Sequence, residues 1–443
     1  MVVASIDIQG GNVVQLERGS RLVLQRDDAG ALAEEFDRYG EVAVIDLDAA
    51  MGRGNNLELI KPLLRRAECR VGGGIRTPEQ ARELVSLGAA KIIVGSGAFR
   101  DSAKRGAVAE GGVGATGGEF AVNAAFLEGV ANAIGRERLV VAVDAKNGGG
   151  GYEISVDGWK TPTGLPLVES ARAVEAFAGE ILFTCVDREG TMTGLDMAPV
   201  RALREGVSCR ITAAGGVCST GEIAELAALG CDVQLGMALY TEKVSLAEAF
   251  IASLNWKKAA ETSGGLIPLI AQSVDGQTLM TGFASREAVA ESFKRGKLCF
   301  HSRSRNKLWM KGENSGNVLV LRRLRADCDR DALLAVVEPA GPVCHTGGWS
   351  CFGVGRRYTW EYLQSLVAER FRNPVPGSYT ATLDDELVRE KVSEEAGELC
   401  AAKTRDEVVW EAADLLYFTT ALMTREGVSV EEVFAELDRR HKK

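Results

Sequence analysis

The sequence predicts an α/β protein in which a (β/α)8 TIM barrel precedes a small, mostly-β (α+β) domain and an all-α helical domain. Three observations predict this order. Across residues 1–256, short β-branched runs alternate eight times with amphipathic segments, the pattern of a closed parallel barrel. Across 265–355, apolar and polar residues alternate around one helical stretch, as on half-buried strands. From 358 to 443 the period becomes helical. These spans are the expected domains.

Composition narrows the function classes. A chain of 443 residues exceeds one ordinary domain. A net charge of −9 disfavours a nucleic-acid partner, because phosphate backbones need a basic surface. The opening MVVASIDIQGG lacks the basic flank and apolar core of a signal peptide, and no apolar run approaches a membrane span. Ten cysteines without an export signal read as reduced thiols, some of them candidate ligands. A cytoplasmic enzyme without a membrane partner is expected.

In the first domain the expected strands are 2–8, 42–47, 69–73, 91–95, 139–144, 180–186, 209–214 and 232–236, with helices such as 79–87 and 221–229. An internal repeat supports the assignment. VGGGIRTPEQARELVSLGAAKIIVGSGAF (71–99) aligns with AAGGVCSTGEIAELAALGCDVQLGMALY (213–240), and Asp7 at the end of the first strand has its counterpart in Asp144 at the end of the fifth. The barrel reads as a duplicated half. Gly73-Gly74 with Gly95-Ser96, and Gly215-Gly216 with Gly236-Met237, can each present bare backbone N–H groups to a phosphate. Two such turns imply a substrate with a phosphate at each end. Asp7 and Asp144 lie between them and suit acid and base roles. The same residues would also serve as plain turn formers and helix caps.

SIDIQGGNVVQL, VIDLDAAMGRGNNLELI, VGGGIR, VVAVDAKNG, VDGW, FTCVDREGT, AAGGV and GMALY together resemble the phosphoribosylformimino-5-aminoimidazole carboxamide ribotide isomerase family of histidine biosynthesis. The resemblance implies an aldose–ketose (Amadori) rearrangement, with Asp7 as general base, Asp144 as general acid, and Thr184 and Trp159 against the substrate. The cyclase subunit of imidazole glycerol phosphate synthase, a sister barrel, shares both aspartates and the phosphate turns; VDGW and GMALY favour the isomerase. Residues 105–118 (RGAVAEGGVGATGG) are too small and polar to pack, and read as a mobile loop.

Residues 257–265 (KKAAETSGG) form the expected linker. The second domain should turn at Asp275-Gly276 and carry one helix over Arg286–Arg295. Arg303, Arg305, Lys307 and Lys311 form a basic run that suits nucleotide phosphates, or a solvated face. Asp327-Cys328-Asp329-Arg330-Asp331, Cys344-His345 and Cys351 follow. Thiolates suit zinc and carboxylates suit magnesium. An extended segment would set Asp327, Asp329 and Asp331 on one face and Cys328 on the other. An acidic loop beside three small buried thiols fits the same letters.

F-x-S-R-S-R-x-x-L-W-x-K-G-E-x-S-G, D-C-D-x-D and C-H-T-G-x-x-S-C-F resemble phosphoribosyl-AMP cyclohydrolases. The resemblance implies Zn2+ on Cys328, Cys344 and Cys351, Mg2+ on Asp327, Asp329 and Asp331, and a homodimer sharing the zinc. His345, adjacent to a ligand, would be a base or a plain structural histidine. Gly348-Trp349 stand where relatives often carry basic residues, which puts the local phosphate contacts in doubt.

In the third domain the helical stretches are 359–371, 382–403, 405–425 and 429–440. Glu394-Glu395-x-x-Glu398 and Glu411-x-x-Asp414 each share a helix face. Their apolar flanks, among them Val409 and Leu416, should turn some carboxylates inward, where a cation must neutralise them, although a solvated acidic face fits the same spacing. P-x-P-G-S-Y-T-A-x-L (374–383), K-V-x-E-E-A-x-E and E-A-A-D-L-L-Y resemble phosphoribosyl-ATP pyrophosphohydrolases. That resemblance implies Mg2+ on Glu394, Glu395, Glu398, Glu411 and Asp414, with Lys391 as a phosphate contact. The three resemblances name consecutive reactions on ribotide substrates and require no organic cofactor. The sequence therefore leads us to expect a trifunctional enzyme. The alternatives are a cyclase barrel, or a module retained as an inert nucleotide-binding scaffold.

Overall fold

The computed structural model describes residues 1–101, 120–375 and 377–441. The expected loop at 105–118 lies outside the described residues. The chain divides into two compact units, Met1–Gln272 with Met280–Val343, and Ser273–Leu279 with Cys344–Lys443.

The first unit opens with eight parallel strands: β1 (Val2–Gln9), β2 (Val42–Asp46), β3 (Cys69–Gly72), β4 (Lys91–Val94), β5 (Leu139–Asn147), β6 (Glu180–Cys185), β7 (Arg210–Ala214) and β8 (Asp232–Leu235). They pair in chain order, and β8 returns to β1, so the sheet closes. Continuous apolar runs such as VVASIDIQ and EILFTC suit strands covered on both faces. One apolar layer joins strands to surrounding helices through Ile6, Val44, Val71, Leu127, Phe183 and Leu226. A second fills the lumen with Ile93, Val140, Ala142, Leu182 and Ala214.

The repeat is visible in its caps. Thr77 accepts from Gln80 N at the start of Pro78–Ser86, and Ser219 accepts from Glu222 N at the start of Thr220–Ala228. Each hydroxyl satisfies an N–H that the helix leaves unpaired.

The amino-terminal end of the barrel holds a buried charge network. The Arg70 side chain is fully buried and donates to Glu41 at 2.8 Å and Glu180 at 2.5 Å. Lys91 reaches both carboxylates at 2.9 Å, and Thr212 donates to Glu180. Such groups are tolerated out of water only when they are paired.

After helix α1 (Trp256–Ser263), a four-stranded sheet is built from β9 (Ile267–Ser273), β10 (Thr278–Ala284), β11 (Leu319–Ala326) and β12 (Leu333–Pro339), in the order β10-β9-β12-β11. Helix α2 is Arg286–Arg295, as expected, and Cys299–Ser302 pairs with Lys307–Met310 in a hairpin. Within the first unit this region docks on the barrel: the Tyr39 and Phe293 rings lie 4.2 Å apart, and Arg323 and Arg325 bind Asp37 and Glu68.

The carboxylate segment differs from the extended form expected for it. Residues 327–331 make a turn between β11 and β12, with Arg330 at φ +65°. The Asp327 carboxylate accepts from the backbone N–H groups of Asp331 and Ala332 at 3.0 Å each, which folds the chain back on itself. Asp side chains favour such turns for this reason.

In the second unit, helices α3 (Trp360–Arg372), α4 (Asp385–Ala401) and α5 (Arg405–Arg425) pack around Leu363, Val367, Val388, Phe418 and Ala421, and α6 (Val430–His441) sets the Phe434 ring edge-on to Trp360. Thr404 and Glu407 form a capping box at the start of α5.

Candidate functional site

At the carboxyl ends of the barrel strands, Asp7 and Asp144 project from β1 and β5, and Thr184 on β6 stands in register beside Asp144. Burial pushes the Asp7 carboxyl up to about 6, against a Ser5 hydroxyl bond at 2.8 Å that opposes the shift. Burial likewise raises Asp144, while hydrogen bonds from Thr184 and from the Trp159 indole at 3.0 Å favour its charged form. Trp159 sits at φ +68°, and its carbonyl accepts from Lys146 at 2.5 Å.

A third carboxyl completes the set. Glu189 is raised to about 8 by burial first and then by Asp7 and Asp144. Its backbone carbonyl accepts from Arg18 N, in the loop between Asn12–Glu17 and Arg21–Arg26. The adjacent Gly19 packs against Trp159, where a Cβ would lie 2.8 Å from the ring. Sequence reasoning passed over Glu189, although it stands inside FTCVDREGT in the turn after a barrel strand, where a carboxylate is a candidate for chemistry.

The glycine turns are equivalent in the two halves. Gly73 (φ +107°) would drive a Cβ to 2.1 Å from the Asp46 carbonyl oxygen, and Gly215 (φ +100°) to 2.5 Å from that of Cys185. Gly74 and Gly216 are equally confined. Gly95 and Gly236 precede the short helical turns Ser96–Ala98 and Met237–Tyr240, and the Ser96 hydroxyl accepts from Asp157 N. Only glycine fits the pairs at 73–74 and 215–216.

In the β-rich region, oxygens of Asp327, Asp329 and Asp331 all lie within 4.8 Å of one another, so the turn gathers what alternation would not. Lys258 of α1 already places its ammonium against Asp329 and, at 2.9 Å, Asp331. Such an oxygen-only set fits a hard divalent cation. Arg303 and Arg305 are exposed on the hairpin tip, Arg303 lying 3.9 Å over the Phe283 ring, whereas Lys311 is buried beside Trp309. Cys328 is exposed in the first unit. In the second unit, the Cys344 thiol is held below its ordinary range by the Thr346 hydroxyl at 3.1 Å, with Cys351 as a further partner. A thiol inclined to ionise suits a soft metal. His345 is exposed, its Nδ1 3.9 Å from Cys344 Sγ.

In the helical unit, Glu395, Glu411 and Asp414 converge within 4.8 Å. Glu395 is raised by burial and then by Asp414 and Glu398; Glu411 is raised by burial and then by Glu398 and Glu395. A set of this kind fits a divalent cation, which would favour the ionised forms. Lys391 bridges Glu394 at 2.5 Å and Glu395 at 3.7 Å. A cavity of about 630 Å³ adjoins Asp414, lined by Ser378, Tyr379, Thr380, Tyr417 and Arg370. The flanking Val409 and Leu416 are exposed at 58% and 40%, so they do not drive the carboxylates inward as expected. Contact between α4 and α5 gathers the carboxylates instead.

The family model described as Histidine biosynthesis protein matches residues 1–112 and 114–245, more than half of the chain. The chain belongs to the histidine biosynthesis protein family. Two further models match this family member: Phosphoribosyl-AMP cyclohydrolase over 280–353 and Phosphoribosyl-ATP pyrophosphohydrolase over 361–441. Among its relatives is the Histidine biosynthesis bifunctional protein HisIE of Pyrococcus furiosus, 37% identical over 210 residues, which are 44% of this chain and 99% of that protein. HisIE of Bacillus subtilis is 40% identical over 192 residues, 40% of this chain and 92% of its own length. The chain is thus a histidine-biosynthesis enzyme that joins a family barrel to cyclohydrolase and pyrophosphohydrolase regions. Among the described residues, no helix is long and apolar enough to cross a membrane.

Proposed function

We propose that the chain carries out three successive reactions, with pyrophosphate release in 358–443, purine ring opening in 265–355 and aldose–ketose isomerisation in 1–256. Asp7 takes the sugar proton in the barrel and Asp144 gives one to the ring oxygen. Burial supports both roles, since it keeps each carboxyl titrating nearer neutrality than a free aspartate. Thr184 and Trp159 hold the acid in place, and the turns at Gly73-Gly74, Gly95-Ser96, Gly215-Gly216 and Gly236-Met237 receive the two phosphates.

In the cyclohydrolase region Asp327, Asp329 and Asp331 would hold Mg2+, and Cys328, Cys344 and Cys351 would hold Zn2+, which supplies a water of lowered pKa. Arg303, Arg305 and Lys311 meet the nucleotide phosphates, and His345 moves a proton at the ring. In the helical unit Glu394, Glu395, Glu398, Glu411 and Asp414 would hold Mg2+, and Lys391 meets the triphosphate. We assign the protein to the cytoplasm, as a homodimer through the cyclohydrolase domain.

The placement of Asp7 and Asp144 on β1 and β5, with the Trp159 indole donating to Asp144 at 3.0 Å, is the observation that carries the isomerase reading. Phosphoribosyl-ATP given to the protein with zinc and magnesium should yield pyrophosphate, then the ring-opened aminoaldose, then the aminoketose. Barrel turnover that required ammonia would assign it to the cyclase instead. Pyrophosphate release without ring opening would sink the three-step reading.

A further inference from the structure

The amino-terminal face of the barrel carries none of the proposed chemistry, yet it grips the carboxylate turn of the cyclohydrolase region. Arg330, between Asp329 and Asp331, points away from them into the barrel and is nearly buried, with 11% of its side chain exposed. Its guanidinium donates to the carbonyls of Ala227 and Cys231 at 2.9 Å each and to the Asp232 carboxylate at 2.8 Å. These acceptors lie at the end of Thr220–Ala228 and the start of β8. Three directed acceptors use the fork of an arginine in a way that a lysine cannot.

The backbone is held as well. Asn255 N donates to the Arg330 carbonyl at 2.8 Å and the Asn255 amide to that of Asp329 at 3.3 Å. Arg330 needs this support because its φ of +65° is costly for a side chain with a Cβ. The result turns Asp329 and Asp331 to the same side, where Lys258 of α1 rests on both. One positive charge already binds the two carboxylates where a divalent cation would.

We propose that Arg330 is a positioning residue for the cyclohydrolase, and that the barrel, through Ala227, Cys231 and Asp232, sets the geometry in which Asp329 and Asp331 take their cation. This rests on the reading of Asp327, Asp329 and Asp331 as cation ligands. In a free turn the left-handed residue would relax and the carboxylates would part, so the cation would have to order them on binding. Docking to the barrel meets that cost during folding.

The test is Mn2+ binding, followed by electron paramagnetic resonance, to the full chain with Glu395→Gln and Glu411→Gln silencing the helical cluster. Arg330→Ala should weaken the remaining site about tenfold or more, roughly the loss of one well-placed charged hydrogen bond. Arg330→Lys, which keeps the charge but not the fork, should recover part of it. Isomerisation by the barrel should stay unchanged in both, since its chemistry lies at the opposite ends of the strands. Unaltered Mn2+ affinity in Arg330→Ala, where Asp329→Asn does weaken it, would overturn the positioning role alone. Unaltered affinity in Asp329→Asn would overturn the ligand reading beneath it.

Discussion

At the residue scale, the chemistry proposed for the barrel mouth comes at a cost in stability. Burial lifts Asp7 from 3.8 to about 6. Its neutral form therefore favours the folded state below pH 3.8, and this contribution is lost as the pH rises through about 6. At pH 8 the ionised carboxylate costs up to ~3 kcal/mol, since one pKa unit is worth about 1.4 kcal/mol. Asp7→Asn should abolish isomerisation while raising the denaturant midpoint at pH 8, with the gain shrinking towards pH 4. An unchanged isomerisation rate would remove Asp7 from the reaction. Asp7 and Asp144 were legible because the repeat placed them at equivalent strand ends. Glu189 was not, because its place near the other two carboxyls depends on a turn, and no repeat partner marks it. Arg330 was hidden for a similar reason: within D-C-D-R-D it looks like a spacer, and only the tertiary contact with Asp232 shows where it points.

At the scale of elements, periodicity was an adequate guide wherever one face of a strand or helix met one core. The eight barrel strands, α2 and α5 follow it closely. It misled where contacts decide: alternation suggested a strand at 327–331, but Asp327 caps the backbone and makes a turn. Apolar spacing on α5 likewise suggested burial of Val409, which the packing leaves exposed. Nor does a hydrophobic pattern announce a buried charge network. Arg70 stands in a run of strand residues, and its two carboxylate partners come from other strands or their approaches. Arg70→Met should cost about 3–5 kcal/mol in urea unfolding, because Glu41 and Glu180 would remain buried with Lys91 alone between them. The double change Glu41→Gln with Arg70→Met should recover part of the loss. A cost below ~1 kcal/mol for Arg70→Met would mean that water reaches the network.

At the scale of the whole molecule, the reactions proposed run from the carboxyl-terminal region to the amino-terminal one, and the carboxylates of the helical unit and of the barrel are each gathered by that region's own elements. Glu395, Glu411 and Asp414 are brought together by α4 and α5 within the second unit, and Asp7, Asp144 and Glu189 by the barrel within the first. Loss of one set should therefore leave the other chemistry intact. Glu395 is the buried member of the helical cluster, and its carboxyl is raised by burial and then by Asp414 and Glu398. Glu395→Gln removes one ligand charge without changing volume, so cation affinity and pyrophosphate release should fall together, by about a hundredfold or more in rate. The same protein, given phosphoribosyl-AMP, should still open the ring and isomerise the product at the unmodified rate. Pyrophosphate release that persists in Glu395→Gln would take this carboxylate out of the cation site. Loss of isomerisation in the same variant would show instead that the helical unit supports the barrel, and that the regions do not act independently.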